Sequence, residues 1–495
     1  MTESKDIIFL TLPRVELRTP LTALAILKAH VENHGFTAHC IDLNIELWHK
    51  VSTDAKEAWM ESSTTMVYQE PLEEFWLEHV QQHIPEWIEN IKRYNPRWLG
   101  VNIFYLKNQS ITKKFCAEFK KHLPDVKIVL GGSGIIKGGE DFIKEGLADC
   151  YVRSEGEHPI LEILNDNLDA PGVNLNPPKQ IDDLDYVPIP DYSDYNLDLY
   201  SRRWWDTTDN SVLGTDSLYI SGSRGCIRKC TFCDIQNIWP KFRYRSGLDL
   251  AEEMKVQATK HNIKLFQFTD SLINGSVKQL VNLCDTLNDY YKENKMPKIK
   301  WEGQFCIRSE KQMPESVWKS MKDAGCKKLF IGIESGSENV RKHMKKMYNE
   351  EDLEFNFQMC EKYNIQMTWL ILIGYPTETD QDFEDTLNLI KKYKHLNDKG
   401  LIAKVQFGPT LEIGHGSPLH DQKEELGIWF ENDPAGNQQW RTETNTRELR
   451  LKRWITAMEL ATELGYDANQ RNTKHFKNEL KNIYGTGIDA MGPTY

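Results

Sequence analysis

Three cysteines near the middle of the chain, Cys226, Cys230 and Cys233, stand at the spacing C-x3-C-x2-C. They follow residues 217–221, a short apolar run that predicts a buried strand. Thiolates so closely spaced on one loop can hold several irons of an iron–sulfur cluster, whereas structural zinc normally has four protein ligands. The pattern therefore predicts a [4Fe–4S] cluster with one iron left open. A zinc knuckle or three buried thiols are the alternatives.

The residues around these cysteines add a second signal. Gly225 allows the backbone to bend closely around a bulky group, and Phe232 places an aromatic ring directly before the third cysteine. The loop resembles the cluster loop of the radical S-adenosylmethionine (radical SAM) superfamily. This resemblance implies that Cys226, Cys230 and Cys233 are the metal ligands and the catalytic centre. It also implies that Phe232 shields the cofactor and that S-adenosylmethionine binds at the open iron.

The composition restricts the class of protein. A chain of 495 residues is too long for one ordinary core and predicts two to four domains. Its net charge of −12 argues against broad electrostatic binding of nucleic acid. No apolar run has the length of a membrane span, the first residues lack a signal-peptide pattern, and the ten cysteines are mostly scattered. We therefore expect a cytoplasmic protein without a membrane span.

The first 165 residues predict an α/β domain, because apolar strand-like runs alternate with helical periodicity. The predicted strands are 7–11, 37–42, 99–104 and 126–130. Such alternation is typical of a doubly wound, Rossmann-like parallel sheet, whose ligands bind beyond the carboxyl ends of the strands. The candidate ligand-binding residues at those ends are Asp42, Asn44, Ser110, Gly131 and Gly132.

This arrangement resembles the cobalamin (B12)-binding domain that precedes the radical SAM core in one large subgroup. The resemblance implies that the five strand-end residues bind cobalamin, with Gly131 and Gly132 beside its tail. Many such domains carry D-x-H-x-x-G, whose histidine ligates cobalt, but here Asn44 stands in place of that histidine. Two interpretations stay open: cobalamin bound without a histidine ligand, or a domain kept for substrate binding or architecture.

The rest of the chain predicts a connector, a barrel and an extension. Residues 166–215 are rich in proline and aspartate, which interrupts helices and central strands. Six predicted strands joined by helices follow within 216–407, a count that matches the partial (β/α)6 barrel of radical SAM enzymes rather than an eight-fold barrel. Residues 408–495, with a helical pattern at 444–464, predict a mainly helical extension that caps the substrate pocket.

Polar residues and glycines follow the predicted barrel strands, where the active sites of barrels lie. Each alone can be a helix cap or a surface pair. Residues 243–246 also resemble the subgroup, without an assigned role. The resemblance implies cofactor contacts with S-adenosylmethionine: Asp270 and Ser271 at its ammonium, Arg308 at its carboxylate or at a substrate anion, Glu334 and Ser335 at its ribose and methionine ends, and Gly374 against its adenine.

The resemblance implies a radical reaction. A one-electron donor such as flavodoxin or ferredoxin reduces the cluster, and cleavage of S-adenosylmethionine yields a 5′-deoxyadenosyl radical that abstracts hydrogen from an unactivated carbon. The leading interpretation is cobalamin-dependent methylation of that carbon in a small molecule or a natural-product or lipid precursor. Radical rearrangement, cyclisation or oxidation without methyl transfer is the alternative. A non-catalytic metal-binding scaffold is a remote one.

Overall fold

The computed structural model describes residues 4–15, 17–53, 55–56, 76–200, 216–408, 410–414, 416–430, 439–468 and 476–480. The chain forms two compact units. Unit 1 comprises Met1–Ile220 with Lys260–Lys264, and unit 2 comprises Ser221–Thr259 with Leu265–Tyr495. The four-part division inferred from the sequence stays a prediction, because a division into two units does not test it.

Unit 1 is built on a five-stranded parallel sheet. Its strands are β1 (Ile7–Thr11), β2 (Ala38–Asp42), β3 (Trp98–Asn102), β4 (Lys127–Gly131) and β5 (Cys150–Tyr151). Their order is β2–β1–β3–β4–β5, and each neighbouring pair is parallel. The order reverses between β1 and β3, which is the switch point where such sheets bind ligands. The predicted doubly wound sheet is therefore confirmed.

The apolar strands of this sheet are buried on both faces. In β1, Ile8 and Leu10 pack in one hydrophobic core, while Ile7 and Phe9 pack in the other. Successive side chains of a strand point to opposite faces, so a strand between two cores is apolar at every position. The α-helices of unit 1 include Thr22–Asn33, Leu43–Lys50, Ile84–Lys92, Gln109–His122, Gly139–Lys144 and Glu157–Leu164.

Buried polar contacts fasten the connector to unit 1. Lys28 is 3% exposed and lies 2.9 Å from a carboxylate oxygen of Asp191 and 2.8 Å from one of Asp194. The Tyr200 hydroxyl donates a hydrogen bond of 2.6 Å to Asp42 at the end of β2. The described part of the connector, which ends at Tyr200, therefore belongs with the first sheet. Its remaining residues lie outside the described part of the chain.

The predicted barrel strands form a second, six-stranded sheet. They are β6 (Ser217–Ile220), β9 (Leu265–Phe268), β10 (Lys300–Phe305), β11 (Cys326–Glu334), β12 (Gln366–Ile371) and β13 (Ile402–Phe407). The order is β13–β12–β11–β10–β9–β6, and the pairings from β9 to β13 are parallel. A short antiparallel pair, β7 (Ser223–Arg224) and β8 (Arg243–Tyr244), stands between β6 and β9 in sequence. The open six-stranded order confirms the predicted partial barrel.

Side-chain caps fix where several helices of unit 2 begin. Ser276 caps the helix Val277–Lys292, and capping boxes begin Glu350–Lys362 and Asp380–Lys392. Each cap satisfies backbone N–H groups that have no partner inside the helix, so it fixes the residue at which the helix begins. The other α-helices of the barrel region include Ile235–Ile238, Gly247–His261, Glu315–Asp323, Glu338–His343 and Lys394–Asp398.

The C-terminal region is mainly helical, as predicted, and adds one small sheet. The helix predicted over 444–464 is Arg447–Glu463, which begins where Thr446 accepts a hydrogen bond from the N–H of Leu449. A second helix is Pro418–Asp421. The antiparallel pair β14 (Trp429–Phe430) and β15 (Trp440–Arg441) was not predicted. None of the described helices has the length and apolarity that a membrane crossing requires.

Candidate active site

The three motif cysteines lie on a loop that follows β7, residues 225–234, which we call the cluster loop. Their thiols are half-exposed and none forms a disulfide. The backbone N–H of Arg228 lies 3.4 Å from Cys226 Sγ. Burial raises the pKa of Cys226 to about 11 and also raises the pKa values of Cys230 and Cys233. Thiols on one short loop with amide donors to sulfur suit the ligation of an iron–sulfur cluster.

In the part of the chain that the structure describes, a single metal ion has no comparable site. Within the described residues, no group of three or more His, Cys, Asp or Glu side chains has the arrangement to hold one ion. A cluster differs from a single ion because its thiolates bind different irons and need not converge on one point. The donor set of the cluster loop is therefore compatible with the predicted cluster.

Neighbouring side chains hold the cluster loop in place. The side-chain amide of Gln236 donates to the backbone carbonyls of Cys226 and Arg228 at 3.0 and 3.2 Å. The Thr231 hydroxyl lies 2.8 Å from the Tyr375 hydroxyl. Such contacts order the loop before any cofactor binds, which reduces the entropy that binding must overcome.

Two non-cysteine residues of the loop have clear packing roles. Gly225 has φ +91°, and a Cβ there would lie 2.6 Å from the carbonyl oxygen of Lys241, so a larger residue would clash with backbone. Phe232 is partly buried and packs against a hydrophobic core that includes Tyr375 and Leu419. The predicted shielding of the cluster by Phe232 stays a prediction.

Asp270 follows β9 and holds the chain that leads into the cluster loop. Its carboxylate accepts hydrogen bonds from the N–H of Gly222, at 2.8 Å, and from the Ser223 hydroxyl. Burial raises the pKa of Asp270 to about 6 although these bonds oppose the shift. The side chain of Ser271 is exposed. The contacts of Asp270 are those of a positioning residue, and its predicted contact with the S-adenosylmethionine ammonium stays a prediction.

Arg308 follows β10 and is half-buried. Its Nη2 donates to the carbonyl oxygens of Asn274 and Gly275 at 2.7 and 3.1 Å. Its Nε is buried and has no hydrogen-bond partner among the described residues. Asn274 in turn bonds to both backbone groups of Cys306, at 2.8 and 3.1 Å. A guanidinium held this way keeps a donor for a carboxylate, which suits the predicted clamp without testing it.

Glu334, the last residue of β11, forms an ion pair that the sequence pattern did not indicate. Its φ is +67°, a region that residues other than glycine rarely adopt. Its carboxylate lies 2.8 Å from Lys346 Nζ, and both side chains are 13% exposed. A Cβ on Gly332 would lie 2.6 Å from Glu334 Oε1 and 3.1 Å from Lys346 Nζ. The ion pair therefore occupies the space that a side chain at residue 332 would need.

The charge of Lys346 reaches the cluster loop. Burial opposes that charge, but Glu334 raises the pKa of Lys346 above its ordinary value. The ammonium partly offsets the burial that raises the pKa values of Cys230 and Cys233. A positive charge beside these thiols favours their thiolate form, which is the form that binds iron. The predicted contact of Glu334 with S-adenosylmethionine stays a prediction.

Ser335 and Gly374 have close protein neighbours. Ser335 is fully buried, and its hydroxyl lies 3.2 Å from Thr386 Oγ1 and accepts from the N–H of Ser337 at 3.1 Å. Gly374 has φ +86°, and a Cβ there would lie 2.3 Å from Cδ of Arg450. The C-terminal helix therefore accounts for this glycine. The predicted contacts of Ser335 and Gly374 with the cofactor stay predictions.

The segment 243–246 contains a positioning residue whose role the sequence left open. Arg245 pairs with Glu253 at 2.5 Å and with Asp249 at 2.6 Å, and it donates to the carbonyl oxygen of Ser221 at 3.2 Å. Ser221 leads into β7 and the cluster loop. The two carboxylates stand four residues apart on one helix, and that spacing was the available signal.

The carboxyl edge of the unit 1 sheet gathers polar residues in register. Thr11 is paired with both Asp42 and Asn102, and Asn102 is paired with Gly131. Thr11 Oγ1 and Asn102 Oδ1 are buried, and neither has a hydrogen-bond partner among the described residues. Buried polar atoms are seldom left this way, so the edge retains hydrogen-bonding groups for a ligand.

Asp42 and Asn44 are engaged within unit 1. Asp42 accepts from the Tyr200 hydroxyl at 2.6 Å and from the N–H of Ile45 at 3.0 Å. Burial raises its pKa to about 6. The amide of Asn44 accepts from the N–H of Val15 at 2.9 Å and donates to its carbonyl at 3.4 Å. Both residues shape the edge, and their predicted contacts with cobalamin stay predictions.

The two glycines at this edge have different surroundings. Gly132 has φ +97°, and a Cβ there would lie 2.6 Å from the carbonyl oxygen of Ile103, whereas a Cβ on Gly131 would meet no atom within 4 Å. Ser110 is exposed near the start of the helix Gln109–His122. Three large apolar side chains after β3 and β4 are exposed, at 39, 58 and 42%: Phe104, Leu106 and Ile136. The predicted contacts of Gly131, Gly132 and Ser110 with cobalamin stay predictions.

Comparison with known families identifies the barrel. Residues 220–390 match the family model of the radical SAM superfamily. This segment is a radical SAM domain. It contains the three motif cysteines and the strands β9 to β12. The radical SAM domain makes the protein an enzyme, with a [4Fe–4S] cluster and S-adenosylmethionine as its cofactors.

Curated relatives are distant and only partly covered. An uncharacterized protein of Methanocaldococcus jannaschii is 26% identical over 60% of this chain and 67% of its own length. An uncharacterized methyltransferase of Pyrococcus horikoshii is 24% identical over 54% of this chain and 58% of its own length. A tRNA-2-methylthio-N(6)-dimethylallyladenosine synthase of Clostridium tetani is 25% identical over 39% of this chain and 44% of its own length. The chain thus spans between 44% and 67% of the length of these relatives.

Two solved structures share the fold over nearly the whole chain. One is the cobalamin-dependent radical SAM enzyme OxsB with aqua-cobalamin bound, at 16% identity and TM-score 0.64, covering 97% of this chain and 71% of that one. The other is the radical SAM methyltransferase TsrM of Kitasatospora setae with cobalamin and a [4Fe–4S] cluster bound. Its sequence identity is 14% and its TM-score 0.63, and the match covers 97% of this chain and 100% of that one. Identities this low establish a shared fold and leave the reaction open.

Proposed function

We propose that the radical SAM domain acts together with cobalamin bound at the carboxyl edge of the unit 1 sheet. The reaction we propose is methylation of an unactivated carbon in a small molecule or a natural-product or lipid precursor. The observation that carries this proposal is the edge itself, where Thr11 Oγ1 and Asn102 Oδ1 lie beside a glycine pair and exposed apolar side chains. A corrin ring has an apolar face and an amide-bearing rim, so this mixture of groups suits it.

The residues of the chain would divide the work between the two units. Cobalamin, when bound, would supply a transferable methyl group, and the cluster with S-adenosylmethionine would supply a carbon-centred radical. In unit 2, Cys226, Cys230 and Cys233 would hold the iron of the cluster. Asp270 fixes the start of the cluster loop, and Lys346 offsets the negative charge of the thiolates. Each of these residues binds or positions, which is the protein's part in cofactor chemistry.

The first experiment measures cofactor retention. The protein is reconstituted anaerobically with iron, sulfide and hydroxocobalamin and then desalted. We expect close to one corrinoid per chain in the visible spectrum, together with about four irons by chemical analysis. Gly131→Leu should lose the corrinoid but keep its iron, because a Cβ at Gly131 meets no protein atom within 4 Å and the larger side chain should not disturb folding.

A matched glycine serves as the control for this experiment. Gly408 lies in unit 2, and a Cβ there would also meet no protein atom within 4 Å, so Gly408→Leu should retain both cofactors. Corrinoid retention by Gly131→Leu at the wild-type level would place the ligand elsewhere. A wild-type protein that keeps iron and never retains corrinoid would remove cobalamin from the proposal.

Methyl transfer has its own readout. Radical methylation converts one S-adenosylmethionine to 5′-deoxyadenosine and a second to S-adenosylhomocysteine, because the second one regenerates the methyl donor. Incubation with a small-molecule extract should therefore give both products, and the S-adenosylhomocysteine should depend on added cobalamin. Production of 5′-deoxyadenosine alone would contradict methylation.

A radical rearrangement, cyclisation or oxidation without methyl transfer is the second candidate, and Asn44 favours it. Asn44 stands where many cobalamin domains carry a cobalt-ligating histidine, and both atoms of its amide group are bonded to Val15. No imidazole therefore reaches cobalt from this position. This candidate predicts 5′-deoxyadenosine without S-adenosylhomocysteine, so the product analysis separates the two functions.

The cluster assignment is tested by removing one thiol. Cys230→Ala should lose most of its iron and all reductive cleavage of S-adenosylmethionine, because two thiolates cannot hold the cube. Cys360→Ala removes a buried thiol of the same unit outside the cluster loop and should retain iron. Cleavage at the wild-type rate by Cys230→Ala would overturn the assignment.

A further inference from the structure

Lys346 is largely buried, although the residues on either side of it face solvent. Its side chain is 13% exposed, whereas Lys345 is exposed and Met347 is 74% exposed. Both neighbours have φ +57°, a left-handed conformation that residues other than glycine rarely adopt. Residues held in such conformations cluster at functional sites, where the surrounding structure offsets their strain. The turn that follows the helix Glu338–His343 therefore places one ammonium group inside the protein.

Hydrogen bonds hold this turn against the cluster loop at one end and against β11 at the other. The N–H of Thr231, which directly follows the second cluster cysteine, donates to the carbonyl oxygen of Met344 at 3.2 Å. The Tyr348 hydroxyl donates to the carbonyl oxygen of Ile333 at 2.7 Å. Lys346 stands two residues from each of these anchors. Its position between the cluster loop and β11 is therefore fixed from both sides.

The ion pair between Lys346 and Glu334 has its positive end directed to the cluster loop. The two charges are 2.8 Å apart and equally buried, so they form a small dipole in a part of the protein that water screens weakly. Although burial raises the pKa values of Cys230 and Cys233, Lys346 lowers each of them more than Glu334 raises it. The net effect of the ion pair on the cluster loop is therefore that of a positive charge.

We propose that this ion pair sets the reduction potential of the cluster, with Lys346 raising the potential and Glu334 lowering it. One-electron reduction converts [4Fe–4S]²⁺ to [4Fe–4S]⁺, so the cluster gains one negative charge and no bond forms or breaks. A nearby ammonium stabilises that added charge, and a nearby carboxylate destabilises it. Lys346 is thus a positioning residue that acts through the cluster. The inference rests on the proposed function only in requiring a cluster on the cluster loop, and it does not need cobalamin.

The test measures the potential itself, without S-adenosylmethionine. An anaerobic potentiometric titration at pH 7 is followed by electron paramagnetic resonance of the reduced cluster. Lys346→Met should make reduction less favourable by about tenfold, which is a fall of about 59 mV for one electron. Glu334→Gln should make reduction more favourable by about threefold, because the carboxylate acts more weakly on the loop than the ammonium does. The double variant should lie between the two single variants.

Lys342→Met is the matched control, because it removes an ammonium four residues earlier whose side chain is 72% exposed. Solvent and salt screen that charge, so the potential should stay at the wild-type value. An equal shift in Lys342→Met would assign the effect to net charge and overturn the inference. Iron analysis of every variant separates a change of potential from loss of the cluster.

Opposite shifts in the two single variants are the decisive result, because a structural disturbance has no reason to change sign with the charge that is removed. Shifts in the same direction, or wild-type potentials in both variants, would overturn the inference. Should Lys346→Met lose its iron, Glu334→Gln decides alone: a raised potential supports the inference, and an unchanged or lowered one overturns it. A wild-type protein that takes up no iron would instead contradict the proposed function.

Discussion

At the scale of single residues, Asp42 has a buried carboxylate whose hydrogen-bond donors are all neutral groups. Burial raises its pKa from 3.8 to about 6, against the bonds from Tyr200 and Ile45. In the window between these values the folded protein keeps a proton that the unfolded chain releases. The stability that the neutral acid contributes is therefore fully present below about pH 3.8 and is lost as the pH rises through about 6.

Asp42→Asn should remove this pH dependence. The asparagine can still accept from Ile45 and can donate to Tyr200, so the contacts survive without the charge. Relative to this variant, we expect the wild-type free energy of unfolding to fall by roughly 2–3 kcal/mol between pH 4 and pH 7, measured by urea unfolding. Asp6→Asn should show the opposite sign, since bonds from Thr37 lower the pKa of Asp6 although burial opposes them. Equal wild-type and Asp42→Asn curves would contradict the expected shift.

Gly374 offers a second test at this scale. Gly374→Ala adds a Cβ at φ +86° and only 2.3 Å from Cδ of Arg450, so we expect a loss of about 2–4 kcal/mol of stability. An Arg450→Ala background removes the contacts with Cγ and Cδ and keeps only the Cβ contact at 3.2 Å, so the cost should fall to about 1 kcal/mol, most of it backbone strain. A double-mutant cycle measured by urea unfolding separates the two contributions. Identical costs in both backgrounds would exclude the clash.

Residues with a local pattern could be found from sequence, and residues paired across a turn could not. The cysteine spacing located the cluster loop, and the ends of predicted strands located Asp270, Arg308 and Glu334. Lys346 was missed because its partner lies twelve residues earlier, beyond a helix and the left-handed residue Lys345, with no periodic relation between them. The unpartnered atoms of Thr11 and Asn102 likewise depend on packing that a sequence pattern does not express.

At the scale of elements, the helix Arg447–Glu463 was predictable but its buried arginines were not. Apolar positions such as Leu451 and Trp454 give the helical period. Arg450 and Arg453 lie on the buried side as well, at 0 and 5% exposure, although arginine is normally a surface residue. Arg450 donates to the carbonyl of Trp440 at 2.6 Å, which satisfies part of its buried guanidinium.

The same helix forms an ion pair with the segment that joins β12 to the helix Asp380–Lys392. Arg453 lies 3.0 Å from Glu378, whose side chain is fully buried. Burial raises the pKa of Glu378 to about 7, and Arg453 acts against that rise. Arg453→Met should cost about 3–5 kcal/mol in urea unfolding, because it leaves the buried carboxylate uncompensated. Adding Glu378→Gln should restore part of the loss, and Lys452→Met, at an exposed neighbour, should cost little.

An Arg453→Met variant as stable as Lys452→Met would show that the ion pair between Arg453 and Glu378 contributes nothing to stability.

Element types were predicted well because the apolar periods and caps are local. The breaks were less predictable: the helix Asp380–Lys392 stops at Lys392, and a separate short helix, Lys394–Asp398, follows almost at once. The bounds of β3 also differ, since the strand expected to reach 104 ends at Asn102.

At the scale of the whole molecule, each of the two units contains a hydrophobic core formed by its own residues. A ligand that binds one folded unit raises the stability of that unit by mass action, by about 2.7 kcal/mol at a concentration of 100 Kd. We therefore expect hydroxocobalamin to raise one calorimetric transition of the iron-free protein and to leave Gly131→Leu unchanged. An equal shift in wild type and variant would indicate nonspecific binding.

The buried contact between Lys28, Asp191 and Asp194 also determines where this protein can be divided. A gene fragment that ended at residue 165 would encode a sheet whose buried lysine lacked both carboxylates, and an uncompensated buried charge costs several kcal/mol. It would also lose the hydroxyl of Tyr200 at the end of β2. The portion that recombination could transplant intact therefore extends through Tyr200, so the apparent linker is inherited as part of the first module.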